Sequence, residues 1–93
     1  MAEERKVIIL DGAAAADRET LHRYLREQFE LPTYYGDNLD ALYDGLTDIV
    51  SNTLVELKNR ELFEENLGRY GRKLLRVLWD AAEKNECLML VER

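Results

Sequence analysis

Four aspartates, Asp37, Asp40, Asp44 and Asp48, recur every three or four residues along one short stretch. In a helix that spacing stacks neighbouring carboxylates on one side, with β-carbons about 5–6 Å apart. Carboxylates so placed can ligate a hard cation, or they can pair with the arginines and lysines of another molecule. For the first use, Asp37, Asp40 and Asp44 are the candidate set. Three carboxylates on one helix rarely wrap an ion without loop carbonyls, and no EF-hand spacing is present, so no metal is expected. For the second use the pattern is well suited, because it is a poor way to stabilise a helix. Asp37 and Asp40 suit a helix N-terminus, but Asp44 and Asp48 lie toward the negative end and repel each other. Gly45 in the interior adds a cost of about 1 kcal/mol relative to alanine. A solvated acidic face is the plain alternative. A surface kept for something cationic is the functional one, since local rules tend to fail where function overrides them.

Other chemistry is missing from the chain. Gly12, Gly36, Gly45, Gly68 and Gly71 fit no phosphate-binding spacing. Cys87 is the single cysteine, which excludes an intramolecular disulfide and a zinc constellation and favours a reducing, cytoplasmic setting. It is expected as a small apolar residue of a strand rather than a nucleophile. His22 falls between Leu21 and Arg23 and is expected on the surface. No nucleophile elbow accompanies the serines and threonines. Neither an enzyme nor a cofactor is expected.

The net charge of −6 argues against nucleic acid or an anionic membrane as partner. Its distribution says more. Between Arg26 and Lys58 there is no lysine or arginine, yet that window holds seven of the nineteen acids. Twelve acids remain against all thirteen bases, so the excess charge lies in one third of the chain. No apolar run approaches the roughly 18 residues of a spanning helix. The start, Met-Ala-Glu-Glu-Arg-Lys, does not read as a secretory signal.

The elements that must position the aspartates can be read from periodicity. Lys6–Leu10 is a short apolar run that reads as a strand covered on both faces. Asp17 caps a helix whose stripe is Leu21, Tyr24, Leu25, Gln28 and Phe29, and Leu31-Pro32 ends it. Tyr34, Tyr35 and Gly36 form a turn, and its sequence does not decide which tyrosine faces outward. Asp37-Asn38 then starts the acidic helix, with Leu39, Leu42, Leu46 and Ile49 or Val50 inward. Thr53–Leu57 reads as a second strand and Cys87–Val91 as a third. Asn59 is placed to cap a short helix over 60–65, and Leu67, Tyr70, Leu74, Val77, Leu78 and Ala81 space a long one over 69–84. The expected fold is a single α/β domain over residues 1–93, a three-stranded parallel sheet packed by four helices.

The block Leu31-Pro32-x-Tyr34-Tyr35-Gly36-x-Asn38-Leu39-Asp40-Ala41-Leu42-x-Asp44-x-Leu46-Thr47 resembles the barstar family, intracellular inhibitors of barnase-type secreted ribonucleases. The order of elements over the whole chain resembles that family too. The resemblance implies that the acidic helix and its preceding turn plug a ribonuclease active site. Tyr34 and Tyr35 would then be aromatic contacts and Gly36 would allow close approach. Asn38 and Asp40 would hydrogen-bond the enzyme, Asp44 would enter its phosphate-binding pocket, and Thr47 would flank it; Tyr43 would keep an aromatic with a polar handle at the partner surface. Asp80, on the long helix, corresponds to an acidic position that adds an ion pair. An intrahelical pair with Arg76 is its local alternative.

The chain departs from the family pattern at Leu39 or Tyr43, often tryptophan there, and at Gly45, frequently cysteine. Asp48 and Ile49 stand where the best-known member has a glycine and an aromatic, which leaves open a different target. The implied partner is a basic ribonuclease bound by a monomer. A module that presents the same face to some other cationic protein is the second reading.

Overall fold

The computed structural model describes residues 5–32 and 35–93. Strand β1 (Lys6–Asp11) runs through a short 3₁₀ turn (Gly12–Ala14) to helix α1 (Arg18–Phe29), and helix α2 (Leu39–Thr47) follows. Strand β2 (Thr53–Lys58), helices α3 (Arg60–Leu67) and α4 (Arg69–Lys84), and strand β3 (Leu88–Glu92) complete the order. The three strands pair in parallel as β1-β2-β3, with Lys6 opposite Thr53 and Thr53 opposite Leu88. This is the expected α/β architecture of three parallel strands and four helices.

The strand order decides where the helices go. Two successive crossovers in the same direction and of the usual right hand leave their helices on one face of the sheet. Ile8, Leu10, Val55, Leu57, Leu88 and Leu90 are accordingly buried under the helices. On the opposite face Val7, Ile9 and Met89 are 52%, 41% and 50% exposed. The expectation of strands covered on both faces is therefore corrected. A continuous apolar run reads the same in a one-sided sheet whose outer face is left bare.

Helix α1 begins as expected, with the Asp17 carboxylate accepting from the Thr20 amide at 2.8 Å. It ends in Glu30, whose left-handed backbone (φ 54°) turns the chain away before Pro32. Asn59 departs from its expected role: it stands before α3 with no side-chain cap and instead donates to Asp11 Oδ1 at 2.8 Å. That bond ties the end of β1 to the end of β2. At Gly71 an added β-carbon would lie 2.1 Å from the Phe63 carbonyl oxygen, so α3 and α4 meet closely enough to require glycine there.

His22 is the largest correction. It is buried, 3% exposed, with Nδ1 at 2.6 Å from the Tyr35 hydroxyl and Nε2 at 2.5 Å from that of Tyr70. His22, Leu25 and Phe29 are spaced three and four apart, so the imidazole extends the inward stripe of α1. Two phenol groups satisfy its polar atoms there. Cys87 is half-buried, with its Sγ at 3.4 Å from the Val50 carbonyl. No helix among the described residues is long and apolar enough to cross a membrane.

Candidate partner-binding surface

Helix α2 is short, and its ends are fixed by other side chains. At the start, Asn38 is in extended backbone and its Oδ1 accepts from the Ala41 amide at 2.7 Å, while its Nδ2 donates to the Gly36 carbonyl at 3.1 Å. This is an N-cap that also closes the turn before it. At the far end, Asn85 reaches from beyond α4 and donates from one Nδ2 to the carbonyls of Leu46 (3.0 Å) and Ile49 (2.9 Å). Leu46 lies in the last turn, whose carbonyls have no amide four residues on within the helix; Ile49 lies just past the helix end. The Thr47 hydroxyl donates back to the Tyr43 carbonyl at 2.9 Å.

Leu42 and Leu46 are fully buried, and Leu39, Ala41, Tyr43 and Ile49 pack against the same core. The inward face is as expected, which leaves the acids outside. Gly45 has a packing reason: a β-carbon there would stand 2.9 Å from Leu31 Cδ2, so glycine admits the loop before α2.

The acids divide into two kinds. Asp37 sits in left-handed backbone (φ 51°) and its carboxylate pairs with Arg26 at 2.5 Å, so it does not belong with an unpartnered acidic face. Arg26, the last base before the acidic window, is the partner that sequence spacing did not bring forward. Its Nε is buried and unpartnered among the described residues. Asp40, Asp44 and Asp48 are exposed, and none has an ion-pair partner among the described residues. The last turn of α2 carries no basic residue. No group of three or more His, Cys, Asp or Glu side chains among the described residues is placed to hold a metal ion.

The remaining expected residues fall around this face. Tyr34 lies outside the described residues. Tyr35 is buried, 8% exposed, with its hydroxyl on His22, so its ring supports the turn from below and is not offered as a contact surface in this structure. Burial, assisted by the Asp37 charge, raises the Tyr35 phenol above its ordinary range. Gly36 lies in the turn above it, beside a hollow of about 460 Å³ whose walls include Pro32, Asp44, Asp48 and Ile49. Tyr43 is half-buried and shares a shallow hollow with Asp80, Glu83 and Lys84, so α2 and the distal part of α4 form one surface. Asp80 has the local alternative as well, a 3.9 Å contact with Arg76 between two exposed side chains. An exposed pair of that kind is worth a few tenths of a kcal/mol.

Along α2 and its C-cap the arrangement offers three carboxylates unpaired among the described residues, beside a turn braced from underneath. It can accept charge-assisted hydrogen bonds from a cationic surface, two at a time where the donor is arginine.

Comparison with known proteins finds similar chains. The family model described as "Barstar (barnase inhibitor)" matches residues 5–91. A Bacillus subtilis (strain 168) protein named "Putative ribonuclease inhibitor YrdF" is 41% identical over 88 residues, which cover 91% of this chain and 97% of that relative.

Proposed function

The chain belongs to the barstar family, and from that premise we propose that it inhibits a ribonuclease of the barnase type by occluding its active site with α2 and the preceding turn. It is then an inhibitor rather than an enzyme. The observation that supports this reading is the row of Asp40, Asp44 and Asp48, exposed and unpaired among the described residues, the last two of them against the dipole of α2. A site that cleaves RNA must hold phosphates with arginine, lysine or histidine, so it is a cationic concavity. Carboxylates about one helical turn apart present that cleft with two anions at a fixed separation.

In this reading Asp44 is the central anchor and Asp40 its neighbour, with Thr47 beside them. Tyr34 and Gly36 approach from the turn, and Tyr35 contributes from beneath by holding it. Asn38 acts through its cap on α2, and its side chain is engaged on both sides within the chain. Tyr43 and Asp80 extend the contact toward α4. The inhibitor acts as a one-domain monomer in the cytoplasm and neutralises an otherwise secreted enzyme before export. Complementary fields make encounter fast and salt-sensitive.

The test is inhibition of RNA hydrolysis by barnase and by a panel of other purified barnase-type ribonucleases. Stoichiometric inhibition of at least one, weakened by salt and by Asp40→Ala or Asp44→Ala, is the expected result. Binding to unrelated basic proteins with no inhibition of any nuclease in the panel would instead favour the general acidic module.

A further inference from the structure

The outer face of α4 breaks the rules of helix electrostatics in the opposite sense to α2. Arg69, Arg72, Lys73 and Arg76 stand at spacings of three and four, where like charges repel, and no acidic residue lies in the first turn. They also lie in the first half of the helix, whose N-terminal end is already positive. Among the described residues Arg69 and Lys73 have no acidic partner. Arg72 reaches Glu64 only at 3.7 Å, and Arg76 reaches Asp80 only at 3.9 Å. This is a local excess of positive charge on a chain whose net charge is −6.

These four bases line a groove of about 900 Å³ that runs between α4 and the starts of α1 and α2. Arg18 adds a fifth cation to the wall, its guanidinium 3.9 Å from the centre of the Tyr70 ring. Among the described residues Asp40 is the one carboxylate in the lining, and it marks where the groove meets the acidic face of α2. A molecule that covers Asp40 therefore lies against the mouth of a strongly cationic trough.

We propose that this groove receives an acidic segment of the same ribonuclease whose cationic cleft takes α2, so that target choice depends on both charges. The inference rests on the inhibitor reading and names a second surface for it. The alternative occupant, a nucleic acid strand, fits less well. Single-strand binding needs aromatic platforms for the bases. Tyr70 has its face covered by Arg18 and its hydroxyl engaged by His22. A phosphodiester leaving the groove past Asp40 would also run into Asp44 and Asp48. The bases from Arg69 to Arg76 span about 10 Å at 1.5 Å per residue, the reach of a few carboxylates on an extended segment. Opposed charge on two adjacent surfaces suppresses wrong partners, because a nuclease with a basic rim would be repelled by α4 even where its cleft suits α2.

Two measurements on the full chain test this. In the first, the isotope-labelled protein is titrated at low salt with a hexaglutamate peptide and, separately, with hexauridylate. The amide signals of Leu39, Asp40 and residues 69–77 should move with the peptide. Its affinity should fall at least tenfold in Arg69→Glu/Lys73→Glu and exceed that of the oligonucleotide by a similar factor. In the second, the same double variant is assayed against a nuclease that the wild-type chain inhibits, with a melting curve to show that it folds. Tenfold or greater loss of inhibition is expected. No peptide response in the groove, equal or tighter binding of hexauridylate, or unchanged inhibition by the folded variant would overturn the proposal. Unchanged inhibition in that variant alongside loss in Asp44→Ala removes the groove and leaves the inhibitor reading standing. If no nuclease is inhibited, the inhibitor reading fails and the peptide titration alone decides whether the groove binds carboxylates.

Discussion

The hydroxyl of Tyr35 meets Nδ1 of His22 at 2.6 Å, and the other nitrogen of the same ring meets the hydroxyl of Tyr70 at 2.5 Å. One imidazole thus joins α1, the turn that precedes α2, and α4. In a neutral ring one nitrogen donates and the other accepts, so one phenol accepts and the other donates. Replacing His22 by alanine leaves both hydroxyls without that partner and opens a cavity. An expected loss of about 2–3 kcal/mol in unfolding free energy follows. Tyr35→Phe or Tyr70→Phe removes one bond and should cost about 1 kcal/mol. Urea titrations check the order, and a smaller loss for His22→Ala than for either tyrosine change would refute it.

The same ring makes stability fall with acid. Burial lowers the His22 pKa below its ordinary 6.5, and Arg18 and Arg26 push the same way while the Asp37 charge opposes them. A protonated ring would donate at both nitrogens and force the phenol that donates to the neutral ring to turn its proton to another acceptor. The unfolded chain binds the proton more readily, so the stabilisation is complete above about pH 6.5 and declines as pH falls through the lower folded value. The urea midpoint should drop between pH 7.5 and pH 5. His22→Gln, which cannot titrate, should flatten that drop, and an equal slope in the variant would place the dependence elsewhere.

Asn85 fastens the C-terminal end of the acidic helix from outside it. Asn85→Ala leaves the Leu46 and Ile49 carbonyls without this donor and should cost about 1–2 kcal/mol. The loss should be local as well as global. Hydrogen exchange in the last turn of α2 is expected to rise more than exchange in α1, and uniform loosening would contradict the assigned clamp.

What was legible in the sequence follows from which forces are local. The N-caps of α1 and α2, the inward leucines of α2 and the span of α4 depend on residues a turn apart, and the structure has them where periodicity places them. The bare sheet face was not legible, because an apolar strand carries no record of which side its neighbours cover. His22, Arg26 and Asn85 were missed for one reason. Each is a polar residue whose partners are distant in sequence (Tyr35 and Tyr70, Asp37, Leu46 and Ile49), so only the assembled fold reveals the pairing. For His22 a signal did exist in its spacing with Leu25 and Phe29.

If the acids of α2 are kept for a partner, removing one should help the free protein and harm the complex. Asp44 lies in the second half of α2, where its charge opposes the dipole and repels Asp40 and Asp48. Asp44→Ala also places a better helix former in the interior. The free variant should therefore gain about 0.5 kcal/mol in unfolding free energy. Binding to the inhibited ribonuclease should lose at least about 2 kcal/mol, as for a desolvated central anchor. Asp80→Ala should lose less and act mainly through salt-dependent association, because its carboxylate is exposed and lies near Arg76. Denaturant titration of the free proteins, set beside inhibition titrations at two salt concentrations, measures both halves. A destabilised Asp44→Ala that binds as well as wild type would show that the carboxylate serves the fold, and the case for an interface on α2 would go with it.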